Sequence, residues 1–310
     1  MRDGGFFSSI EDKFYRTIII FLTAFSIIML IVPLARLVPR VPIPLFTFAL
    51  IYFLYRSSVI PAKVKPWLFF VILSVTYWQL QFIVNTWHEE PHGLGIIAFE
   101  KQIFGGVLPT VWLQQSLHSS EVTSWFEYLF AVCHSLLFGI PLFLAIMLFW
   151  KRDIEIMKRA SVAVVFISLL GYLAYVLFPL TPPWMASLEG DIPENLPRIT
   201  LNALQKITPG RMVATFQPSP RGAMPSLHAG LPLLVFLICI KEFGRKVWWL
   251  VIPILLIWFE IIYGAEHYII DIVAGIIFAI ITYIVVYKWL LPDSFIKNTA
   301  IQDVWRENEN

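Results

Sequence analysis

The chain has 310 residues, 58% of them hydrophobic and only 14% charged, with a mean hydropathy of +0.74 and a net charge of +2. Water-soluble domains carry about 25% charge, and strands of a membrane barrel need only about 9–11 residues. The composition and the long apolar runs therefore exclude both, and they predict an all-α polytopic bundle whose backbone is satisfied within each helix. The small net charge gives no footprint for nucleic acid.

In chain order, residues 1–15 are polar and expected in the cytosol. The first apolar run, from Thr17, has no small-residue cleavage site, so it reads as a span and not a signal peptide. About eight spans are predicted, near 16–37, 42–55, 66–85, 125–150, 158–179, 227–240, 247–264 and 268–291. The second and sixth are short of the ~20 residues a crossing needs. Pro33, Pro141, Pro232 and Pro253 lie inside spans and are expected to kink them. Three units follow. Residues 1–60 hold the tail and two extra spans, 61–291 the main membrane domain, and 292–310 a polar C-terminal tail. Cys133 and Cys239 fall inside apolar segments, so no disulfide is expected.

Sixteen of the 23 Lys and Arg then fall in inner loops and tails and seven in outer ones. The excess of basic residues on the cytosolic side places both termini in the cytosol. The two long loops, 86–123 and 180–224, face outward or into a lumen. In the first, Val107 to Leu117 reads as a helix lying in the interface. His88 and His92 stand four apart, but Pro91 breaks a continuous helix there, and no metal site is predicted. The second loop is rich in proline and reads as a rigid collar or lid beside the site.

Two strings carry the chemistry, and each sits where a polar loop enters an apolar helix. One is Arg221-Gly222-Ala223-Met224-Pro225-Ser226-Leu227-His228; the other is Gly264-Ala265-Glu266-His267-Tyr268-Ile269-Ile270-Asp271. His267 and Asp271 are four apart, so a helix puts them on one face. A carboxylate on one imidazole nitrogen fixes the tautomer and frees the other nitrogen. His228 can face that nitrogen from a neighbouring helix. Phosphoryl transfer needs a nucleophile, an acid for the leaving oxygen and cations for the equatorial oxygens. His267 suits the first role, supported by Asp271, and His228 the second. Ser226 and the amides from Gly222 onward can hold phosphate at a helix start, with Arg221 the nearest cation and Arg211 the next. His134 and Glu260, both inside apolar spans, each need a partner; for Glu260 an arginine or a lipid headgroup was the expected one.

Pro225-Ser226-Leu227-His228 and His267-Tyr268-Ile269-Ile270-Asp271 resemble the second and third motifs of the type 2 phosphatidic acid phosphatase superfamily. Leu227, Gly222-Ala223 and the run Phe178-Pro179-Leu180-Thr181-Pro182-Pro183-Trp184 are similar to its inositol phosphorylceramide synthase branch. The Ser-Arg that usually opens the third motif is Glu260-Ile261 here, and the usual first motif is not evident. The resemblance covers roughly Phe99 to Leu291. It implies a six-helix phosphatase-like core and a phosphohistidine intermediate, with no metal or other cofactor. The expected activity is a membrane phosphotransferase moving a phospho-headgroup, such as phosphoinositol, onto a lipid alcohol. The alternatives are a phosphatase of lipid phosphates or isoprenoid diphosphates and, in another class, a membrane transporter. The expected partners are a lipid phosphate or phospholipid and the membrane itself.

Overall fold

The computed structural model describes residues 93–119, 121–136, five positions between 140 and 147, 154–208 and 221–293. The first three expected spans, the 1–60 unit, His88, His92, Arg211 and nearly all of the C-terminal tail lie outside the described residues. The described part is helical, with a single isolated bridge between Leu180 and Gly222 and no strand.

The helices are α1 (Leu94–Ile103), α2 (Pro109–Leu117), α3 (Trp125–Leu136), α4 (Ile154–Leu177), α5 (Pro183–Glu189), α6 (Ile199–Ile207), α7 (Leu227–Phe243), α8 (Val251–Tyr263) and α9 (Ile269–Ile284). Three runs are long and apolar enough to cross a membrane: Ile156–Leu177, Leu227–Tyr263 and Ile269–Leu290. The middle run is a hairpin, not one rod. Gly244 (φ 69°) breaks it, and a 3₁₀ turn over Gly244–Leu250 reverses the chain. Trp258 Nε1 then donates to the Ala229 carbonyl at 3.3 Å, 29 residues back. A straight helix rises 1.5 Å per residue and would hold these groups roughly 40 Å apart. The short sixth span and the seventh are therefore the two arms of this hairpin, as the hydropathy pattern predicts.

The arms fix the packing. α7 and α9 both start at the end that carries His228 and His267, so they run parallel, with α4 and α8 antiparallel to them. The main core packs Val162, Val165, Ile167, Val176, Leu234, Ile238 and Ala279 between α4, α7 and α9. The outer faces are apolar too: Ile252, Leu255, Ile277, Ile280 and Ile281 are exposed. A helix apolar all round belongs in lipid or a large interior.

α7 and α9 approach most closely at glycine. A Cβ on Gly275 would stand 2.2 Å from the Ser226 carbonyl oxygen, and one on Gly230 would stand 2.6 Å from the Gly275 oxygen. The other end of the bundle is closed by charge. Buried Arg159 of α4 donates to Glu242 of α7 (3.2 Å), to Asp293 (2.6 Å) and to the Leu291 carbonyl (3.2 Å), and lies over the Tyr287 ring. Lys241 donates to Asp293 as well, and these two cations hold the Asp293 carboxyl down at about 2.

The loop expected as a proline collar is partly helical. Residues 183–189 and 199–207 form α5 and α6, and both bury apolar faces against the site end. Pro182 and Pro183 open α5, where the missing N–H is harmless. α2 is a helix as expected, docked through Gln114, which donates to the carbonyls of Pro197 and Tyr263. α1 docks through Glu100. Its Oε1 accepts the Ile270 amide at 2.9 Å, in the first turn of α9.

Two predictions follow from these contacts. Gly275→Ala should lower the thermal midpoint and abolish turnover, because the clash is with backbone. Overpacking of about 1–3 kcal/mol outweighs the ~1 kcal/mol gain in helix propensity. Gly95→Ala, with nothing within 4 Å, is the control and should lose nothing; equal behaviour of the two variants in a detergent melt would refute the crossing. Burial raises the Glu100 carboxyl from its ordinary 4.5 to about 7, opposed by the Ile270 amide and reinforced by Asp271. Between those values the folded chain keeps a proton that the unfolded chain has lost. The contribution to stability is thus complete below pH 4.5 and lost as pH rises through about 7. Glu100→Gln should flatten that descent in melts taken from pH 4.5 to 8.

Candidate active site

His228 is the second residue of α7 and His267 the last but one before α9 begins. The turn that presents His267 is tight. Ala265 adopts a left-handed φ of 61°, costly for a residue with a Cβ, and Glu266 and His267 both donate their amides to the Ile261 carbonyl. The Ala265 carbonyl in turn accepts the Trp184 amide at 3.0 Å, which ties α5 to this turn.

Asp271 is buried completely. Its Oδ2 accepts the Tyr268 amide at 2.9 Å and contacts His267 Nδ1 at 3.3 Å. With Nδ1–H pointing at the carboxylate, His267 Nε2 carries the lone pair. His228 Nδ1 lies 3.0 Å from that Nε2, so in this arrangement the Nδ1 proton of His228 covers the lone pair. Three residues expected to work together thus form one line, Asp271–His267–His228. The crossing helices hold it: the Ser226 amide donates to the Asp271 carbonyl at 2.9 Å.

The remaining expected site residues are placed as follows. Ser226 Oγ is buried and caps α7 by accepting the Ala229 amide at 3.3 Å. The Ala223 amide donates to the Leu180 carbonyl, beside the bridge that holds Gly222. Of the amides expected to bind phosphate, those of Ala223 and Ser226 are therefore occupied by protein. Arg221 is half-buried, with Nη2 3.4 Å from Glu189 of α5. Arg211 lies outside the described residues.

Two features were missed or only half seen. Arg198 grips Glu266, the neighbour of His267, through Nε (2.8 Å) and Nη2 (2.7 Å), and lies 4.4 Å over the Trp184 ring. It was one of only seven outer-face cations in the charge count, and that scarcity was the available signal. His134 and Glu260 are each other's partner: His134 Nδ1 stands 2.9 Å from Glu260 Oε1. The expected arginine or headgroup on Glu260 is not what holds it here. The His134 ring stacks on His228 at 4.9 Å between centroids. Among the described residues, no group of three or more His, Cys, Asp and Glu has the arrangement of a metal site.

Comparison with known proteins covers the same region. The chain is 25% identical to phosphoinositol dihydroceramide synthase of Bacteroides thetaiotaomicron, over 67% of this chain and 71% of that protein. It is 26% identical to the inositol phosphorylceramide synthase catalytic subunit of Schizosaccharomyces pombe, over 73% of this chain and 54% of that one. It is 27% identical to inositol phosphorylceramide synthase of Candida albicans, over 62% and 42%. The chain thus spans about half the length of these fungal relatives. No solved structure matches it. The family model of the PAP2 superfamily matches residues 95–285, which is more than half the chain and contains His228, His267 and Asp271. The chain belongs to the PAP2 superfamily and is a phosphotransferase or phosphatase.

Proposed function

We propose that this is an integral membrane enzyme that transfers a phospho-headgroup, such as phosphoinositol, from a lipid donor to a lipid alcohol. The observation that carries this is the Asp271–His267–His228 line, set at one end of helices long enough to cross a membrane. The relatives' printed names, inositol phosphorylceramide and phosphoinositol dihydroceramide synthases, supply the headgroup and the alcohol class.

In the first step the Nε2 lone pair of His267 forms a bond to phosphorus. The bond from phosphorus to the lipid alcohol breaks, and that oxygen takes a proton from His228. Asp271 stabilises the charge that develops on the His267 ring. In the second step His228 takes the proton of the incoming hydroxyl, whose oxygen attacks phosphorus and releases His267. Arg198 and the converging N-termini of α7 and α9 supply positive potential for the phosphate oxygens; Arg221 and, from the sequence alone, Arg211 are further candidates for the same task. Exposed tryptophans mark the two ends of the bundle: Trp112 and Trp125 beside the histidines, Trp248, Trp249 and Trp289 at the other. Such belts sit at membrane–water interfaces. The charge count supports the reading in which the site faces outward or into a lumen and the termini face the cytosol.

His267→Ala should lose turnover by several orders of magnitude while the protein stays folded. His228→Ala should lose about 10²–10⁴-fold on the lipid donor. With an aryl ester of phosphoinositol, whose leaving group needs no acid, that variant should trap the headgroup phosphate on His267, acid-labile and base-stable. Mass spectrometry that finds the phosphate on His228 or Ser226 would overturn the assignment. Release of the headgroup phosphate to water at an undiminished rate without any alcohol would make the enzyme a hydrolase. For topology, Leu188 of α5 is 75% exposed, so Leu188→Cys should react with an impermeant thiol reagent from the outer or lumenal side of sealed vesicles. Reaction only from the cytosolic side would reverse the orientation.

A further inference from the structure

The described residues hold a second histidine–carboxylate pair that the reaction above does not use. Glu260 is completely buried in the apolar helix α8, and His134 of α3 is 14% exposed. A buried ion or proton-sharing pair is not a source of stability in itself; well-packed apolar residues of similar volume do as well or better. The pair sits against the working site, however. The His134 ring lies on the face of His228, with centroids 4.9 Å apart and planes 30° from parallel.

The resting geometry of His228 shows what such a neighbour is for. Its Nδ1 is 3.0 Å from the nucleophilic nitrogen of His267. A phosphoryl group in near-attack contact stands about 3–3.5 Å from the nucleophile. The acid must also reach the leaving oxygen across phosphorus through a hydrogen bond of about 2.7–3.2 Å. Both contacts do not fit into 3.0 Å, so substrate entry separates the two rings. His228 then loses the hydrogen bond that fixes it at rest. Among the described residues, its other ring contact is the stack on His134. Glu260 anchors His134 from a different helix, so that contact stays in place when the first one breaks.

We propose that His134, held by Glu260, is a positioning residue that fixes the His228 ring during the reaction, so that its proton meets the leaving oxygen. The proposal rests on the phosphotransfer reading. His134 and Glu260 form no bond to substrate and exchange no proton with it; they keep an acid–base ring within the sub-ångström tolerance that proton transfer to the leaving group demands.

The test uses the full-length protein in nanodiscs with two donors, phosphatidylinositol and an aryl ester of phosphoinositol. His134→Leu/Glu260→Leu leaves no unpaired buried charge and should fold. Its kcat on phosphatidylinositol should fall about 10–100-fold, the range for partners that orient a working imidazole, with little change in KM. The burst of aryl alcohol from the aryl donor, which needs no acid, should hardly change. Combined with His228→Ala, the double substitution should cause no further loss. Glu260→Gln, which keeps an acceptor for His134 Nδ1–H, should retain most of the activity. Equal slowing of both donors, or losses that multiply with His228→Ala, would show a merely structural or independent role and overturn the proposal. His267→Ala, measured alongside, must lose both donors. If it keeps them, the phosphotransfer reading itself fails and takes this proposal with it.

Discussion

The site depends on two helices approaching each other at backbone distance. Gly230 and Gly275 let α7 and α9 come so close that a Cβ at either would overlap a main-chain oxygen. His228 lies two residues before the first glycine and Asp271 four before the second, so the crossing sets the spacing between the acid–base residue and the carboxylate that supports the nucleophile. The Ser226 amide bonded to the Asp271 carbonyl locks the same crossing one turn above. No rotamer change can adjust a contact made by backbone atoms, which suits a line of three side chains held at hydrogen-bond distance. At the far end, Arg159, Glu242, Asp293 and Lys241 prevent the helices from splaying.

On the proposed reading this crossing also offers a substitute for the arginine that usually opens the third motif, whose place is Ile261 here. α7 and α9 run parallel and point their N-termini at the same place. Their partial positive charges therefore add where a phosphate would sit, each within the first turn, where the helix dipole acts. Arg198, paired with Glu266 and lying over the Trp184 ring, adds a cation next to the residue that precedes His267. Glu260 stands at the position the motif usually gives to serine. It binds His134, so the replacement changes the neighbour of His228.

The sequence showed the parts that follow from local rules. Apolar length gave α4, both arms of the α7–α8 hairpin and α9, and the four-residue spacing pointed to the His267–Asp271 pair, although His267 lies in the turn before α9 and meets Asp271 across the helix start, not along one helix face. It could not show partners that meet through the fold. His134 and Glu260 are 126 residues apart, and Arg198 and Glu266 are 68 apart; no periodicity links either pair. The helices α5 and α6 were hidden for a different reason. Each is shorter than ten residues, so most of its stability comes from docking, α5 onto the His267 turn and α6 chiefly onto α3, rather than from its own propensity.

Burial of the nucleophile bears on the choice between alcohol and water in the second step. The His267 side chain is 5% exposed and Asp271 is fully enclosed, while the resting hydrogen bond from His228 covers the reactive lone pair. On the proposed reading a phosphohistidine there displaces His228 from that lone pair but keeps the buried surroundings of His267 and Asp271, and exclusion of water slows hydrolysis of a reactive intermediate. An acceptor that arrives through the bilayer does not face that barrier, because its hydroxyl can enter at the helix ends with its apolar chain left among the exposed Ile and Leu side chains. The geometry that makes the site poor for water is thus compatible with a lipid alcohol.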